Sequence, residues 1–380
     1  MAAGAAGLGI CGWPAGESRA AVADGLAVGK TDVAGVKEAE HWQALGAKKV
    51  KCVLCPRECS VADMERGYCG VRENRGGKYY TLVYGTPSAV HIDPIEKKPL
   101  FHYLPGKTAY SIGTAGCNFE CLFCQNWNIS QFRPEQVDKL DLPAERVINQ
   151  AQSAGCGAVA HTYNEPIVFY EYARECARCG REAGMPNVII SNGFIQKAPM
   201  RELCKELGAV KIDLKAFSEK FYAETCHGKL QPVLDTLKTL KEEGVWFEIV
   251  VLLVTGLNDS GEEVKKLANW VAADLSPDVP LHFSRYFPYY KLQLPPTPVE
   301  TMQRAYEAAK SEGCHFVYVG NIELPGKADT LCPSCGTVAI KRMGLMVLSN
   351  NLKDGKCPKC GRAIPGVWRS EDAWKRGILG

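Results

Sequence analysis

The chain has 380 residues, 46% hydrophobic and 23% charged, with a net charge of +3 and a pI near 8.0. That balance is ordinary for a globular chain of two or three domains, and too mild to call for nucleic acid or a membrane surface as its main partner. No apolar run approaches the roughly eighteen residues of a spanning helix, so no transmembrane helix is expected. The 18 cysteines fall in C-x-x-C and C-x-x-x-C groups rather than in the framework of a small secreted fold. They point to metal or cluster ligands in a reducing compartment, and a cytoplasmic location is expected.

Residues 1–34 are rich in Ala and Gly and lack a basic segment ahead of their apolar stretch, which Gly12 and Pro14 interrupt. They read as a disordered extension, with an organellar transit peptide as the alternative. Residues 35–105 form a Cys-rich module. The spacing of Ala39, Trp42 and Leu45 predicts a helix over Gly35–Val50. Tyr79–Val83 and Ala89–Ile92 read as strands of a hairpin-like unit. Between them stand Cys52, Cys55, Cys59 and Cys69, in a stretch so poor in core residues that a bound metal is expected to stabilise it.

From residue 106 to 328 strand-like and helix-like segments alternate. Strands are predicted at Tyr110–Ile112, Ala158–Thr162, Val188–Ser191, Val210–Leu214, Phe247–Leu253 and Leu281–Ser284. The helices between them fall at Pro143–Ala154, Val168–Ala183, Met200–Leu207, Pro232–Glu243 and Glu262–Val271. A last helix (Val299–Glu312) and strand (His315–Val319) follow. Repeated βα units argue for an α/β fold with a parallel sheet, closed or partly closed as a barrel. In barrels function collects at strand ends, and here those ends hold a cysteine loop, Glu165, Asn192, Asp213, Lys215, His282 and Arg285.

The cysteine loop carries Cys117, Cys121 and Cys124. Three thiolates on one short loop hold three irons of a [4Fe–4S] cluster and leave the fourth open to a small molecule, as an open zinc position is. Residues 329–368 contain Cys332-x-x-Cys335-Gly and Cys357-x-x-Cys360-Gly, the spacing of a zinc ribbon with one tetrahedral Zn²⁺. Residues 369–380 are a tail. From Leu331 onward 9 Lys/Arg face 3 Asp/Glu, which solvation explains more simply than RNA. Cys52, Cys55, Cys59 and Cys69 suit either zinc or an auxiliary [4Fe–4S] cluster; the slack between Cys59 and Cys69 favours zinc. Cys11, Cys156, Cys176, Cys179, Cys204, Cys226 and Cys314 read as buried or incidental thiols.

The three-Cys spacing, with Phe123 just before the third ligand, resembles the signature of the radical S-adenosylmethionine (SAM) enzymes. Cys52-Val-Leu-Cys-Pro-Arg-Glu-Cys59, Gly67-Tyr-Cys-Gly-Val-Arg-Glu-Asn74, Asp93-Pro-Ile-Glu-Lys-Lys-Pro-Leu100, Thr162-Tyr-Asn-Glu-Pro166 and the closing ribbon occur in order. Together they look like the radical SAM member of the AmmeMemoRadiSam system, related to pyruvate formate-lyase (glycyl-radical enzyme) activating enzymes. The resemblance implies a partial (β/α)6 barrel of TIM-like form, in which SAM chelates the open iron and one electron splits it to a 5′-deoxyadenosyl radical. It implies that Phe123 packs on the adenine, that Glu165 meets the SAM amino group, and that Asn192, Asp213 and Lys215 border SAM and substrate. Most of the superfamily has Gly-Gly-Glu-Pro where this chain has Tyr163-Asn164-Glu165-Pro166, and activating enzymes carry an acid where it has Ile190. Implied partners are SAM, a ferredoxin or flavodoxin as electron donor, and Memo-like and AMMECR-like proteins.

Three functions compete on this reading. The first is hydrogen abstraction from a substrate or partner protein, with Glu165, Asp213 and Lys215 as catalytic candidates. A narrower one is activation of a glycyl-radical enzyme. The third, a non-catalytic iron–sulfur/zinc electron carrier or RNA-binding module, has no use for an open iron.

Overall fold

The computed structural model describes residues 35–379; the extension expected over residues 1–34 lies outside them. The Cys-rich start of the chain is built from short antiparallel strands. β1 (Gly35–Glu38), β2 (Trp42–Gly46), β3 (Lys49–Cys52), β4 (Ser60–Val61), β5 (Arg72–Arg75) and β6 (Lys78–Tyr84) form two three-stranded sheets, ordered β1-β6-β5 and β2-β3-β4. The helix expected over Gly35–Val50 is thus replaced by three strands. Ala47 and Lys48 take φ of 45° and 59°, which turns the chain back and sets Trp42 opposite Cys52. The helical spacing misleads because the segment does not bury one face: Ala39 and Val50 are in the core, but Leu45 is 51% exposed.

β7 (Ala89–Pro94) does not form the expected hairpin with β6. Both edges of β6 are already taken by β1 and β5, so β7 satisfies its backbone against β8 (Thr108–Gly113), antiparallel, with Ile92 opposite Tyr110. Beyond β8 come β9 (Ala158–His161), β10 (Asn187–Ser191), β11 (Ala209–Asp213), β12 (Trp246–Leu253), β13 (Leu281–Arg285) and β14 (Val317–Gly320), each parallel to the last. The eight-stranded sheet runs in chain order from β7 to β14. Its central strands are buried along nearly their whole length, as befits a parallel sheet covered by helices.

The helices are α1 (Trp127–Ser130), α2 (Ala144–Ser153), α3 (Tyr170–Glu182), α4 (Lys197–Cys204), α5 (Glu219–Phe221), α6 (Gln231–Glu243), α7 (Gly261–Trp270) and α8 (Val299–Ser311). Each longer helix buries one stripe, such as Val147, Ile148 and Ala151 of α2 or Val264, Leu267 and Ala268 of α7. No helix among the described residues is long and apolar enough to cross a membrane.

The tail forms β15 (Thr330–Leu331), β16 (Val338–Met343) and β17 (Met346–Asn350) in one antiparallel sheet. It packs at the N-terminal end of the parallel strands. Arg342 Nη2 donates to Phe101 O at 2.7 Å, and the Val367 amide donates to His102 O at 2.7 Å. Glu248, near the start of β12, accepts from the amides of Phe101 and His102 at 3.0 and 2.8 Å and from His282 Nε2 at 2.7 Å. His282 therefore stands at the end of the sheet away from the cysteine loop, as a satisfied structural residue. Arg285, at the other end of β13, donates to Thr297 O at 2.7 Å.

Candidate active site

The cysteine loop leaves the C-terminal end of β8. Gly116, with φ +84°, must be glycine: a Cβ there would lie 2.6 Å from the carbonyl oxygen of Cys69. That contact places the triad directly beside the N-terminal cysteine set. Arg57 ties the two together, donating through Nε to Asn118 O at 3.0 Å.

The three thiols have different surroundings. Burial pushes the Cys117 thiol well up. Cys121 is lowered, first by a hydrogen bond from Cys226 and then, against burial, by the charge of Lys215. Cys124 sits 3.2 Å from Ser130 Oγ. The donor chemistry fits an iron–sulfur cluster: three thiols on one loop, with a cation and polar groups that favour thiolates.

Glu165 follows β9 and is 2% exposed. Its Oε1 accepts from Ser191 Oγ at 2.7 Å and from the Ile167 amide at 3.1 Å, and its Oε2 accepts from the Asn192 amide at 2.7 Å. Burial outweighs these bonds and raises its carboxyl to about 7. Asn192 turns its side chain to the loop, donating to Asn118 Oδ1 at 2.8 Å, with Cys117 Sγ 4.0 Å away.

Asp213 ends β11 between two lysines. Lys211 bonds one oxygen, and Lys215 Nζ stands 3.1 Å from the other. Burial favours the neutral acid, but the two cations win and hold Asp213 at about 2. Lys215 Nζ lies 6.0 Å from the Phe123 ring centroid. Phe123 itself is 5% exposed and packs on Phe221, ring centroids 6.0 Å apart.

Glu165, Asn192, Asp213 and Lys215 thus lie on successive strand ends around the triad. Sequence reasoning missed Asn164, Lys211 and Cys226. Asn164 Nδ2 donates to the carbonyls of Ala115 and Gly116 at 3.1 and 2.8 Å, and its Oδ1 accepts from the Thr114 amide at 3.0 Å. Its neighbour Tyr163, with φ +71°, donates to Asp93 Oδ2 at 2.7 Å. Where glycines were expected, Asn164 braces the loop and Tyr163 ties the strand end to β7. Cys226 carried no spacing signal, since only the fold brings it to Cys121.

At the opposite end of the sheet, the sulfurs of Cys332, Cys335, Cys357 and Cys360 all lie within 4.8 Å of one another. Such a group can bind a metal ion.

The chain is similar to known proteins. The family model described as the radical SAM superfamily matches residues 111–271. An uncharacterised protein of Methanocaldococcus jannaschii is 39% identical over 332 residues, spanning 87% of this chain and 99% of the relative. Pyruvate formate-lyase 1-activating enzyme of Escherichia coli is 25% identical over 161 residues, 41% of this chain and 65% of that one. A radical SAM methyltransferase structure from Sphaerobacter thermophilus aligns with TM-score 0.45 and 16% identity, covering 57% of this chain and 67% of that one. The chain belongs to the radical SAM superfamily and is a radical SAM enzyme, distantly related to the pyruvate formate-lyase activating enzymes.

Proposed function

We propose that Cys117, Cys121 and Cys124 hold the [4Fe–4S] cluster and that SAM binds between it and the ends of β9 to β11. The observation that carries this reading is the convergence of Glu165, Asn192, Asp213 and Lys215 on one cysteine loop. When bound, the cluster and SAM supply a 5′-deoxyadenosyl radical for hydrogen abstraction. Glu165 keeps acceptor capacity on Oε2 for the SAM ammonium, and its backbone partners fix the carboxylate before SAM arrives. Cys226, by its hydrogen bond, and then Lys215, by its charge, favour the thiolate of Cys121 as a ligand. Asp213, held ionised by its two lysines, orients polar groups of SAM, and Phe123 closes the adenine side. A one-electron donor of ferredoxin or flavodoxin type serves the cycle.

The same reading places the chain in the AmmeMemoRadiSam group, with its partial (β/α)6 barrel, cytoplasmic location and Memo-like and AMMECR-like partners. It gives the ribbon cysteines one structural Zn²⁺, and the N-terminal set a metal centre of its own. The order of motifs from Cys52 to Cys360 supports this. The hydrogen donor is a substrate or partner protein; the relationship to an activating enzyme favours a protein glycine as one such donor.

The test is EPR of the dithionite-reduced, anaerobically reconstituted protein. Addition of SAM should change the cluster signal, and Glu165→Ala should require far more SAM for the same change. A signal indifferent to SAM would refute the site.

A further inference from the structure

Cys52, Cys55, Cys59 and Cys69 line one cavity. Two buried polar side chains also line it. Arg72 is 1% exposed and Tyr79 is 0% exposed. Arg72 uses Nη2 on Glu171 and on the carbonyl of Glu40, but its Nε and Nη1 have no partner, and neither does the Tyr79 hydroxyl. Three buried donors without acceptors are costly. The sequence tolerates them beside four thiols. Gly67 preserves the arrangement: a Cβ there would stand 2.5 Å from the Tyr79 hydroxyl and 3.8 Å from Cys59 Sγ.

The chain contains an internal standard for what such a cavity takes. The ribbon sulfurs close on one another, Cys332 to Cys360 at 3.5 Å and Cys335 to Cys357 at 3.6 Å. Four thiolates about 2.3 Å from one tetrahedral ion must close in that way. Among the described residues the ribbon is the only cysteine set whose sulfurs gather within 4.8 Å; the 117/121/124 triad and the N-terminal four both stay wider apart. The N-terminal set, like the loop of Cys117, Cys121 and Cys124, does not close as the ribbon cysteines do. A multi-iron core also offers bridging sulfides, which are acceptors for Arg72 and Tyr79 that a lone Zn²⁺ lacks.

We propose that Cys52, Cys55, Cys59 and Cys69 bind a second, fully ligated [4Fe–4S] cluster, to which Arg72 and Tyr79 donate hydrogen bonds. This names the metal centre that the preceding reading gives to these thiols, and it departs from the preference for zinc drawn from their spacing. The Tyr68 amide adds a donor to Cys59 Sγ at 3.4 Å. The buried guanidinium of Arg72, 1% exposed, stands beside the four thiols and offsets the anionic charge of four thiolates.

The experiment uses the full chain with Cys117, Cys121 and Cys124 all changed to Ala, purified without air, and counts iron, sulfide and zinc. About four irons and four sulfides per chain should remain, with about one zinc. The unaltered chain should hold roughly twice that iron, a count that does not depend on the variant folding. No iron with about two zincs would overturn the cluster while leaving a metal centre. No iron with only the ribbon zinc would overturn both the cluster and the reading it rests on. In the same background Tyr79→Phe should make the midpoint potential of the remaining cluster more negative, because a donor to sulfur stabilises the reduced state. An unmoved potential would overturn the role given to Tyr79.

Discussion

Asn164 Nδ2 donates to the carbonyl of Gly116 at 2.8 Å, so the residue before the Glu165 acid holds the residue before Cys117. The same side chain reaches Ala115 O and the Thr114 amide. Asn164→Ala removes all three contacts from a buried loop. A loss of about 1–3 kcal/mol in stability is expected, by thermal or denaturant melting. Iron retained after anaerobic reconstitution should fall with it, while any metal held by Cys332, Cys335, Cys357 and Cys360 should not.

Asp93 is the other brace. It accepts from Tyr163 at 2.7 Å, Lys97 at 2.8 Å and Lys98 at 2.6 Å, and Lys98 is 3% exposed. Asp93→Ala strands a buried ammonium and should cost on the order of 3–5 kcal/mol. Tyr163→Phe, which loses one hydrogen bond, should cost only about 1 kcal/mol. In the Asp93→Ala, Lys98→Met double variant most of the larger loss should return, as chemical denaturation would show.

Glu165 gives the site a pH dependence. Its folded carboxyl stands at about 7 against 4.5 unperturbed. A raised carboxyl favours the folded state fully below the unperturbed value, and that contribution is lost as pH rises through 7. SAM binding has the opposite sign, since its ammonium needs the carboxylate. SAM affinity measured calorimetrically should strengthen from pH 6 to 8, and Glu165→Gln should flatten that slope.

Much of this was legible in the sequence, because a parallel sheet buries its strands on both faces and writes them as apolar runs. Phe247–Leu253 and Val188–Ser191 fall where such runs predict. The first module was not legible: its strands are held by turns at Ala47 and Lys48 and by docking, so the spacing of Ala39, Trp42 and Leu45 imitated a helix. Cysteine spacing identified three thiol sets but could not rank them by openness, which depends on how the turns carrying Cys52 to Cys69 fold. Cys226 was invisible for a simpler reason: its partner Cys121 is met only through tertiary packing. Lys211 shares a face of β11 with Asp213, two residues on, so that pair was there to be read.

The ribbon clamps the segment Phe101–His102 onto Glu248. Cys335→Ala should release it if the four thiols bind a metal ion, since a structural zinc contributes on the order of 10–16 kcal/mol. Hydrogen exchange at the Phe101 and His102 amides should quicken by at least tenfold, while that of the β10 and β11 amides stays slow.

The central claim is that the 117/121/124 triad performs reductive SAM cleavage. Its most direct test is mass spectrometry for 5′-deoxyadenosine after anaerobic incubation of the reconstituted, dithionite-reduced protein with SAM. The product should form with the intact chain and be absent with Cys121→Ala, whose N-terminal and ribbon cysteines are untouched. Equal amounts from both proteins, or none from an intact chain whose cluster is present and reduced, would contradict the account.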